Sequence, residues 1–292
     1  MTGFFIPSSI ERSKNAKTYF AKRVSRIYPA LLAAFVVSLV AVLTFGVHIQ
    51  KIKVSMGTLV TWIISQVTVF QFYTPSELTL YGVGNPNGSL WTISMELQVY
   101  VLLYLIYGWL KRQKISTWAF LIGGGYMINI LFSFTKDFLS EFIFKLINVT
   151  FLPYLYIYLI GVFVYVHRDK IIPTLKKGFW LIVALYVVWC IINMHIGFSL
   201  GHYANIISGS FVCVLTISAG YYFGNHRLQY DFSYSLYLYH MIIINVLAIL
   251  GITGTWYSMV IVYLFTGVLS ALSVFFVEGR GKKAIEKMIL KN

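Results

Sequence analysis

Residues 27–46 read IYPALLAAFVVSLVAVLTFG, an uninterrupted run that contains no charged side chain. An α-helix of about 20 residues is long enough to cross the hydrocarbon core of a bilayer, which is about 30 Å thick. This run therefore predicts a membrane-spanning helix. Further apolar runs of similar length lie near 91–110, 115–134, 142–166, 178–197, 203–223, 231–251 and 256–277. Together they predict an all-α, polytopic transmembrane helix bundle of about eight spans.

The composition agrees with a membrane protein and excludes an ordinary soluble domain. Of the 292 residues, 59% are hydrophobic and 11% are charged, whereas soluble domains are about half apolar and about a quarter charged. The net charge of +14 comes from short clusters between apolar runs, as at 111–114. Such clusters follow the positive-inside rule and favour a lipid bilayer over nucleic acid as the partner. Cys190 and Cys213 lie in apolar runs without the spacing of a metal site, so we expect no metal.

The shorter apolar stretch at 57–73 is assigned from the positions of the charges. Basic clusters occur at 12–26, 111–114, 168–177, 226–227 and 280–291. All of them fall on one side of the membrane only if 57–73 does not span. We therefore predict that 57–73 is re-entrant or lies on the bundle, with both termini cytoplasmic in an inner-membrane protein. The following YGVGNPNG at 81–88 suits either a wet cavity or an ordinary surface loop. Since no internal repeat or linker is visible, we predict one domain over 1–292.

The first polar motif lies at the start of the first span. Arg23 and Arg26 are three residues apart, so a helix places both guanidinium groups on one face. Paired arginines bind phosphate well, as in a nucleotide-like donor. They could equally be an anchor that reaches lipid phosphates.

The second polar motif is SLWTISMELQVY at 89–100. Glu96 lies about one turn inside a span with no basic neighbour in sequence. Thr92, Glu96 and Tyr100 are spaced four apart and share a helix face, which predicts a small polar constellation. A carboxyl group there can exchange protons in catalysis or hydrogen-bond neighbouring helices for structure.

The third polar motif is DFSYSLYLYH at 231–240. Ser233, Tyr237 and His240 occupy positions i, i+4 and i+7, which form one helical stripe. Such a stripe predicts either the lining of a polar channel or hydrogen bonds between helices.

These motifs, in this order, resemble those of the acyltransferase-3 family of membrane O-acyltransferases. Residues 23–29 are similar to its Arg-x-x-Arg signature, 89–100 to its Ser-Leu-Trp…Glu-x-Gln segment, and 233–240 to its Ser-Tyr…Tyr-Leu-x-His segment. Residues 277–280 are a weaker match to its closing Glu-x-Pro element, because the proline is absent.

The resemblance implies a function and a set of site residues. Family members have about ten spans and move acyl groups, commonly acetyl, from a cytoplasmic donor to sugars of the cell envelope. It implies acyl-CoA as donor substrate, no bound cofactor, and a glycan or glycolipid acceptor. Arg23 and Arg26 would bind the donor, and Glu96 and His240 would be catalytic. The residues expected to line the cavity are Trp91, Ser94, Tyr100, Ser233, Tyr234 and Tyr237.

One departure from the family pattern concerns the amino-terminal region. The family begins with a helix that carries an arginine and the histidine regarded as the catalytic base, followed by a second helix. Residues 1–6 resemble only the close of that second helix. We therefore expect that the chain lacks one to two family helices. Two other functions stay open: a polysaccharide or lipid transporter, although paired halves are not visible, and a catalytically inactive truncated paralogue.

Overall fold

The computed structural model describes residues 2–203, 205–224 and 230–291, and in these residues all regular secondary structure is helical. This confirms the predicted all-α class. The basic pair at 226–227 lies outside the described residues. The α-helices of the described chain are, in order, α1 Thr2–Glu11, α2 Ala16–Ala41, α3 Met56–Val67, α4 Trp91–Leu110, α5 Ile115–Phe134, α6 Glu141–Asn148, α7 Leu155–Val166, α8 Arg168–Lys177, α9 Phe179–Ile196, α10 Ile206–Tyr222, α11 Ser233–Ile249, α12 Trp256–Leu272 and α13 Gly279–Lys291.

Several of these helices are long and apolar enough to cross a membrane. In the described residues such segments are Ala16–Val47, Gly88–Leu110, Ile115–Asp137, Phe179–Ile196 and Trp256–Leu290. Helices α10 and α11, at the predicted spans 203–223 and 231–251, are apolar but have only 17 residues each. These helices indicate a membrane protein. The number of eight spans stays a prediction.

The segment predicted to span near 142–166 contains a break, because it consists of two helices, Glu141–Asn148 and Leu152–Val166, bent by 52°. Pro153 lies at this break, where its missing N–H favours the end of one helix and the start of another. The freed backbone groups are bound by side-chain amides. Gln98 donates to the Val149 carbonyl oxygen at 3.1 Å and accepts from the Phe151 N–H at 3.3 Å. Asn129 donates to the Pro153 carbonyl oxygen at 2.7 Å.

The chain divides into two compact units, and the division falls between Ser94 and Met95 inside α4. Unit 1 comprises the described residues up to Ser13 and from Met95 to Gly224. Unit 2 comprises Lys14–Ser94 and the described residues from Tyr230 onward.

In unit 1, α1 packs on α7 at a contact between two glycines. A Cβ atom added to Gly161 would lie 2.8 Å from the Phe4 backbone nitrogen and 2.9 Å from the Gly3 carbonyl carbon. The two backbones are therefore nearly in van der Waals contact, and only a hydrogen side chain fits between them. Phe4 extends this contact by packing edge-on against the Tyr165 ring at 5.5 Å.

The far end of α1 is fixed by a carboxylate. Glu11 accepts a hydrogen bond from the Tyr107 hydroxyl at 2.6 Å and from the Tyr165 hydroxyl at 2.7 Å. Burial raises the pKa of Glu11, but these two hydrogen bonds and the positive charges of Arg168 and Lys111 lower it below its ordinary value overall. Glu11 is thus held as a carboxylate that joins α1 to α4 and α7.

A partly buried histidine joins the connection before α10 to α6. His202 Nε2 lies 2.5 Å from Asn148 Oδ1, and its ring packs edge-on against Phe132 at 4.6 Å and Phe144 at 5.6 Å. Burial lowers the pKa of His202, so the folded protein favours the neutral imidazole.

In unit 2, the segment after α2 turns back along that helix. Phe35 of α2 and Val42, which follows the last residue of α2, form a buried cluster with Trp62 of α3 and with Leu78 and Tyr81 further along the chain. The Tyr28 hydroxyl donates to the Thr68 carbonyl oxygen at 3.2 Å. Residues 56–81 therefore form a hairpin that runs along α2 and back, which agrees with the predicted re-entrant or bundle-lying segment at 57–73.

The rest of unit 2 packs around α2 and α11. Helix α11 contacts both α2 and α12, and α13 contacts α2. The last turns of α2 and α12 continue as π-helical segments, Val42–Val47 and Ser273–Glu278.

We expect Gly161→Ala to destabilise the protein by about 1–3 kcal/mol, because the new methyl group meets backbone atoms that cannot rotate away. Thermal unfolding of the purified protein in detergent measures the effect. The control is Gly123→Ala, since nothing lies within 4 Å of the added Cβ, and alanine in an open helix position is neutral or mildly stabilising. Equal melting temperatures for Gly161→Ala and wild type would contradict the close contact.

We expect the thermal stability of the wild type to fall on acidification below about pH 6.5, through protonation of His202. The pKa of His202 is lower in the folded than in the unfolded protein, so this residue contributes its full stabilisation at pH values above the unfolded pKa. The stabilisation is lost as the pH falls through the folded pKa. Melting curves between about pH 7.5 and pH 5.5 for wild type and His202→Gln provide the measurement. Parallel pH dependences in the two proteins would show that His202 is not responsible.

Candidate functional site

The glycine-rich loop before α4 is held along α11 by Asn245. Its Oδ1 accepts from the Val83 N–H at 2.8 Å, and its Nδ2 donates to the carbonyl oxygens of Asn85 at 2.8 Å and Pro86 at 3.2 Å. Asn245 is completely buried. Gly82 adjoins it with φ +57°, and a Cβ atom there would lie 2.2 Å from Asn245 Oδ1. The loop can approach this closely only with a glycine.

Further along α11, the start of the second motif is bound to the third. Asn87 Nδ2 donates to the Leu238 carbonyl oxygen at 2.8 Å. The Tyr237 hydroxyl donates to the Ser89 carbonyl oxygen at 2.6 Å and lies 2.5 Å from the Thr92 hydroxyl. Thus Ser89 and Thr92, about 150 residues before Tyr237 in sequence, meet it at one polar cluster.

His240 lies next to this cluster with a defined tautomer. Its Nδ1 is 2.8 Å from the Tyr237 carbonyl oxygen. A carbonyl oxygen can only accept, so Nδ1 carries the proton of a neutral ring and Nε2 presents a lone pair. His240 also lines a cavity of about 630 Å³ between α11 and α12, whose apolar wall includes Ile244, Leu247 and Met259.

The paired arginines lie near the start of α11. Arg26 is exposed and its guanidinium group lies 3.5 Å from the Asp231 carboxylate. The guanidinium group of Arg23 lies 6.0 Å from the centre of the Tyr19 ring. Arg26 thus joins the first motif to the third.

The remaining residues of the third motif connect α11 to its neighbours. The Ser233 hydroxyl donates to Asp231 at 2.6 Å, and the Tyr234 hydroxyl donates to the Ile27 carbonyl oxygen of α2 at 3.4 Å. Ser235 is completely buried and donates to Glu278, which also accepts from Ser273 at 3.1 Å. The weak closing element at 277–280 therefore has a definite contact with the third motif.

The second motif is divided between the two units. In unit 2, Trp91 begins α4. Ser94 is buried and donates to the Val69 carbonyl oxygen at 2.8 Å and to Gln71 Oε1 at 2.8 Å. In unit 1, Glu96 Oε1 accepts from the Tyr100 hydroxyl at 2.6 Å and from the Thr2 hydroxyl at 3.1 Å.

The structure thus brings together several residues predicted from sequence. In unit 2, Arg26 of α2 contacts Asp231, two residues before α11, and Tyr237 and His240 lie on α11 itself. Of the predicted constellation of Thr92, Glu96 and Tyr100, Glu96 and Tyr100 pair in unit 1, whereas Thr92 meets Tyr237 in unit 2. Among the described residues, groups of three or more His, Cys, Asp or Glu side chains with metal-binding geometry are absent.

The sequence analysis did not predict the roles of two site-shaping residues, Asn245 and Gln98, although Gln98 is the glutamine of the matched Glu-x-Gln segment. Each is an amide inside an apolar run, and polar residues in such runs are rare and usually have a specific partner. That pattern could have marked both positions. Their partners, the loop at 83–86 and the break at 149–151, are distant in sequence and become visible only in the fold.

The apolar helices define an integral membrane protein. Its arginine, glutamate and histidine motifs form polar side-chain clusters of the kind found in membrane enzymes. The profile described as an acyltransferase domain, that of the acyltransferase-3 family, matches residues 1–277. The chain therefore belongs to this family of membrane acyltransferases, as the motifs predicted.

The chain is also similar to a curated protein. Nodulation protein 10 of Rhizobium leguminosarum bv. viciae is 27% identical to the chain over 306 aligned residues, covering 100% of the chain and 82% of the relative. No solved structure matches the chain significantly.

We expect Asn245→Ala to release the loop at 82–90, because buried backbone groups that lose their partner cost about 1–3 kcal/mol each. Hydrogen exchange followed by mass spectrometry should show faster exchange in 83–90 and unchanged exchange in α7. The matched control is Asn193→Ala, because Asn193 Oδ1 has no hydrogen-bond partner in the described part of the chain. Unchanged exchange of the loop in Asn245→Ala would show that the clamp does not hold it.

Proposed function

We propose that the protein transfers an acyl group, expected to be acetyl, from acyl-CoA to a hydroxyl group of a cell-envelope glycan or glycolipid. The observation that carries this proposal is the arrangement along α11 in unit 2. Arg26 contacts Asp231 at the start of the helix, and Tyr237 and His240 follow within three turns. A guanidinium group suited to phosphate, a fixed hydroxyl group and an imidazole that can accept a proton thus occur in one unit, and acyl transfer from a CoA thioester can use each of them.

The donor would bind through the arginines of the first motif. Guanidinium groups bind phosphate oxygens in a forked geometry and stay charged at any physiological pH. Arg26 is exposed, so it can exchange its contact with Asp231 for a phosphate group. We propose that Arg26 and Arg23 hold the diphosphate of acyl-CoA at the cytoplasmic face of an inner-membrane protein, where the basic clusters favour placing both termini.

Of the residues in this chain, His240 is the one we propose as general base, a role that the family pattern gives to a histidine of its first helix. Its Nε2 takes the proton of the acceptor hydroxyl as the oxygen attacks the thioester carbonyl carbon. The new C–O bond forms and the C–S bond breaks. The proton then passes from Nε2 to the leaving sulfur, which gives the ester and CoA with a free thiol. The Nδ1–H bond to the Tyr237 carbonyl oxygen holds the ring in the required tautomer.

Glu96 keeps its proposed catalytic role in unit 1. The Tyr100 and Thr2 hydroxyls both donate to Oε1, and a carboxylate accepts such bonds with either oxygen. Its second oxygen has capacity for a further donor. Glu96→Gln keeps the shape of the side chain but removes its capacity to take up a proton.

We expect Arg26→Ala to lower acyl transfer about tenfold through weaker donor binding, and His240→Gln to lower it about 100-fold or more through loss of the base. Membrane vesicles that contain the full-length protein and its native acceptor are incubated with radiolabelled acetyl-CoA, and label is counted in the glycan fraction. Excess acetyl-CoA should restore Arg26→Ala but not His240→Gln.

The control is Arg112→Ala, which removes an exposed cation from the separate cluster at 111–114. Its labelling should equal that of the wild type. Full labelling by Arg26→Ala at low donor concentration would refute the donor site. Full labelling by His240→Gln would refute the assigned base.

A further inference from the structure

Two helices of unit 2 are longer than a membrane is thick. The helical segments Ala16–Val47 and Trp256–Leu290 contain 32 and 35 residues, or about 48 Å and about 52 Å at 1.5 Å per residue. The hydrocarbon core measures about 30 Å. Their uncharged portions, 27–47 and 256–277, match that thickness. The start of α2 and the whole of α13 therefore project from the hydrocarbon core.

These two projecting ends pack against each other. A Cβ atom added to Gly281 of α13 would lie 2.7 Å from Pro29 Cβ of α2, so the helices touch closely there. About one turn away, the Ser25 hydroxyl donates to Glu286 Oε1 at 3.1 Å. Residue numbers rise along α13 as they fall along α2, so the pair is antiparallel.

The contact leaves the basic side chains of α13 outside. Glu286 is the only acidic residue of α13, and its carboxylate is turned to Ser25. In the described part of α13, the exposed basic residues are Arg280, Lys282, Lys283 and Lys287. Within the described residues, the ion pairs found are Arg26–Asp231 and Lys145–Glu141, so these four cations are not held in an ion pair there.

The antiparallel geometry places Lys282 on the edge that carries Arg26, with Lys283 next to it on the outer side of α13. Arg26 follows the contact residue Ser25, and Lys282 follows the contact residue Gly281, by one residue each. Each residue along a helix turns the side chain by about 100° around the axis. In two antiparallel helices that face each other, a step of one residue from the contact turns both side chains toward the same edge of the pair. Lys283, the next residue, is turned by a further 100° toward the outer side of α13 and lies close to the level of Arg26 along the axis.

We infer that Lys282 and Lys283 of α13 complete the donor site by binding the 3′-phosphate of acyl-CoA. This inference rests on the proposed function, in which Arg23 and Arg26 hold the diphosphate. CoA carries a separate phosphate monoester on its ribose, and the doubly charged monoester needs cations of its own. Lysine ammonium groups act as point charges for such a group, whereas the forked arginines suit the diphosphate.

The test measures equilibrium binding of CoA to the purified full-length protein in nanodiscs of uncharged phosphatidylcholine. Titrations compare CoA with dephospho-CoA, which lacks only the 3′-phosphate, for wild type and for Lys282→Ala/Lys283→Ala. We expect the Kd for CoA to rise about 5- to 10-fold in the variant, as for two partly exposed charge contacts. The Kd for dephospho-CoA should be the same in both proteins.

Two further proteins separate a specific contact from general charge or folding effects. Arg112→Ala/Lys114→Ala removes two cations of the 111–114 cluster and should leave the Kd for CoA unchanged. Lys282→Arg/Lys283→Arg should restore most of the affinity. The inference is overturned if the alanine pair binds CoA as the wild type does, or if it loses affinity equally for dephospho-CoA.

A lipid headgroup is the competing source of phosphate. If affinity differs between variant and wild type only in nanodiscs with anionic phosphatidylglycerol, the lysines bind lipid and the inference is overturned. Arg26→Ala separates the two levels of the proposal. Weaker CoA binding by Arg26→Ala but not by the lysine pair would refute only the role of α13, whereas absence of CoA binding by the wild type would refute the donor proposal itself.

Discussion

Backbone groups that leave helical geometry inside an apolar bundle must find partners on side chains, since water is absent from the hydrocarbon core. In the loop before α4, the buried amide of Asn245 binds both N–H and carbonyl groups. In unit 1, Gln98 does this at the break before α7. An amide side chain is suited to this task because it donates and accepts at once.

The parts of the fold that follow from local sequence were predictable. Apolar length alone predicted helices at the positions of α2, α4, α5, α9 and α12, and the charge distribution set the stretch at 57–73 apart from the spans. The break at 149–152 was not predicted, because hydropathy does not record where backbone hydrogen bonds end. Only Pro153 marked it locally, and the partner that makes the break tolerable, Gln98, lies about 50 residues earlier.

The site shows the same contrast. The periodicity of the third motif correctly places Tyr237 and His240 on successive turns of α11, and the four-residue spacing correctly pairs Glu96 with Tyr100. Spacing did not indicate that Thr92 meets Tyr237, because that contact depends on the course of the whole loop. Nor did it indicate that a glutamate near the end of the chain, Glu278, is held by Ser235 and Ser273.

The π-helical segment Ser273–Glu278 sets which residues of the last helix face each neighbouring helix. A π-turn accommodates an additional residue within a helix, so it offsets the register of α13 from that of α12 by about 100°. One face of the long helix can thus meet α11 within the bundle while another meets α2 beyond it. A naturally occurring one-residue deletion in this segment would rotate the carboxyl-terminal helix as a whole, so length variation here should be far less tolerated than substitution.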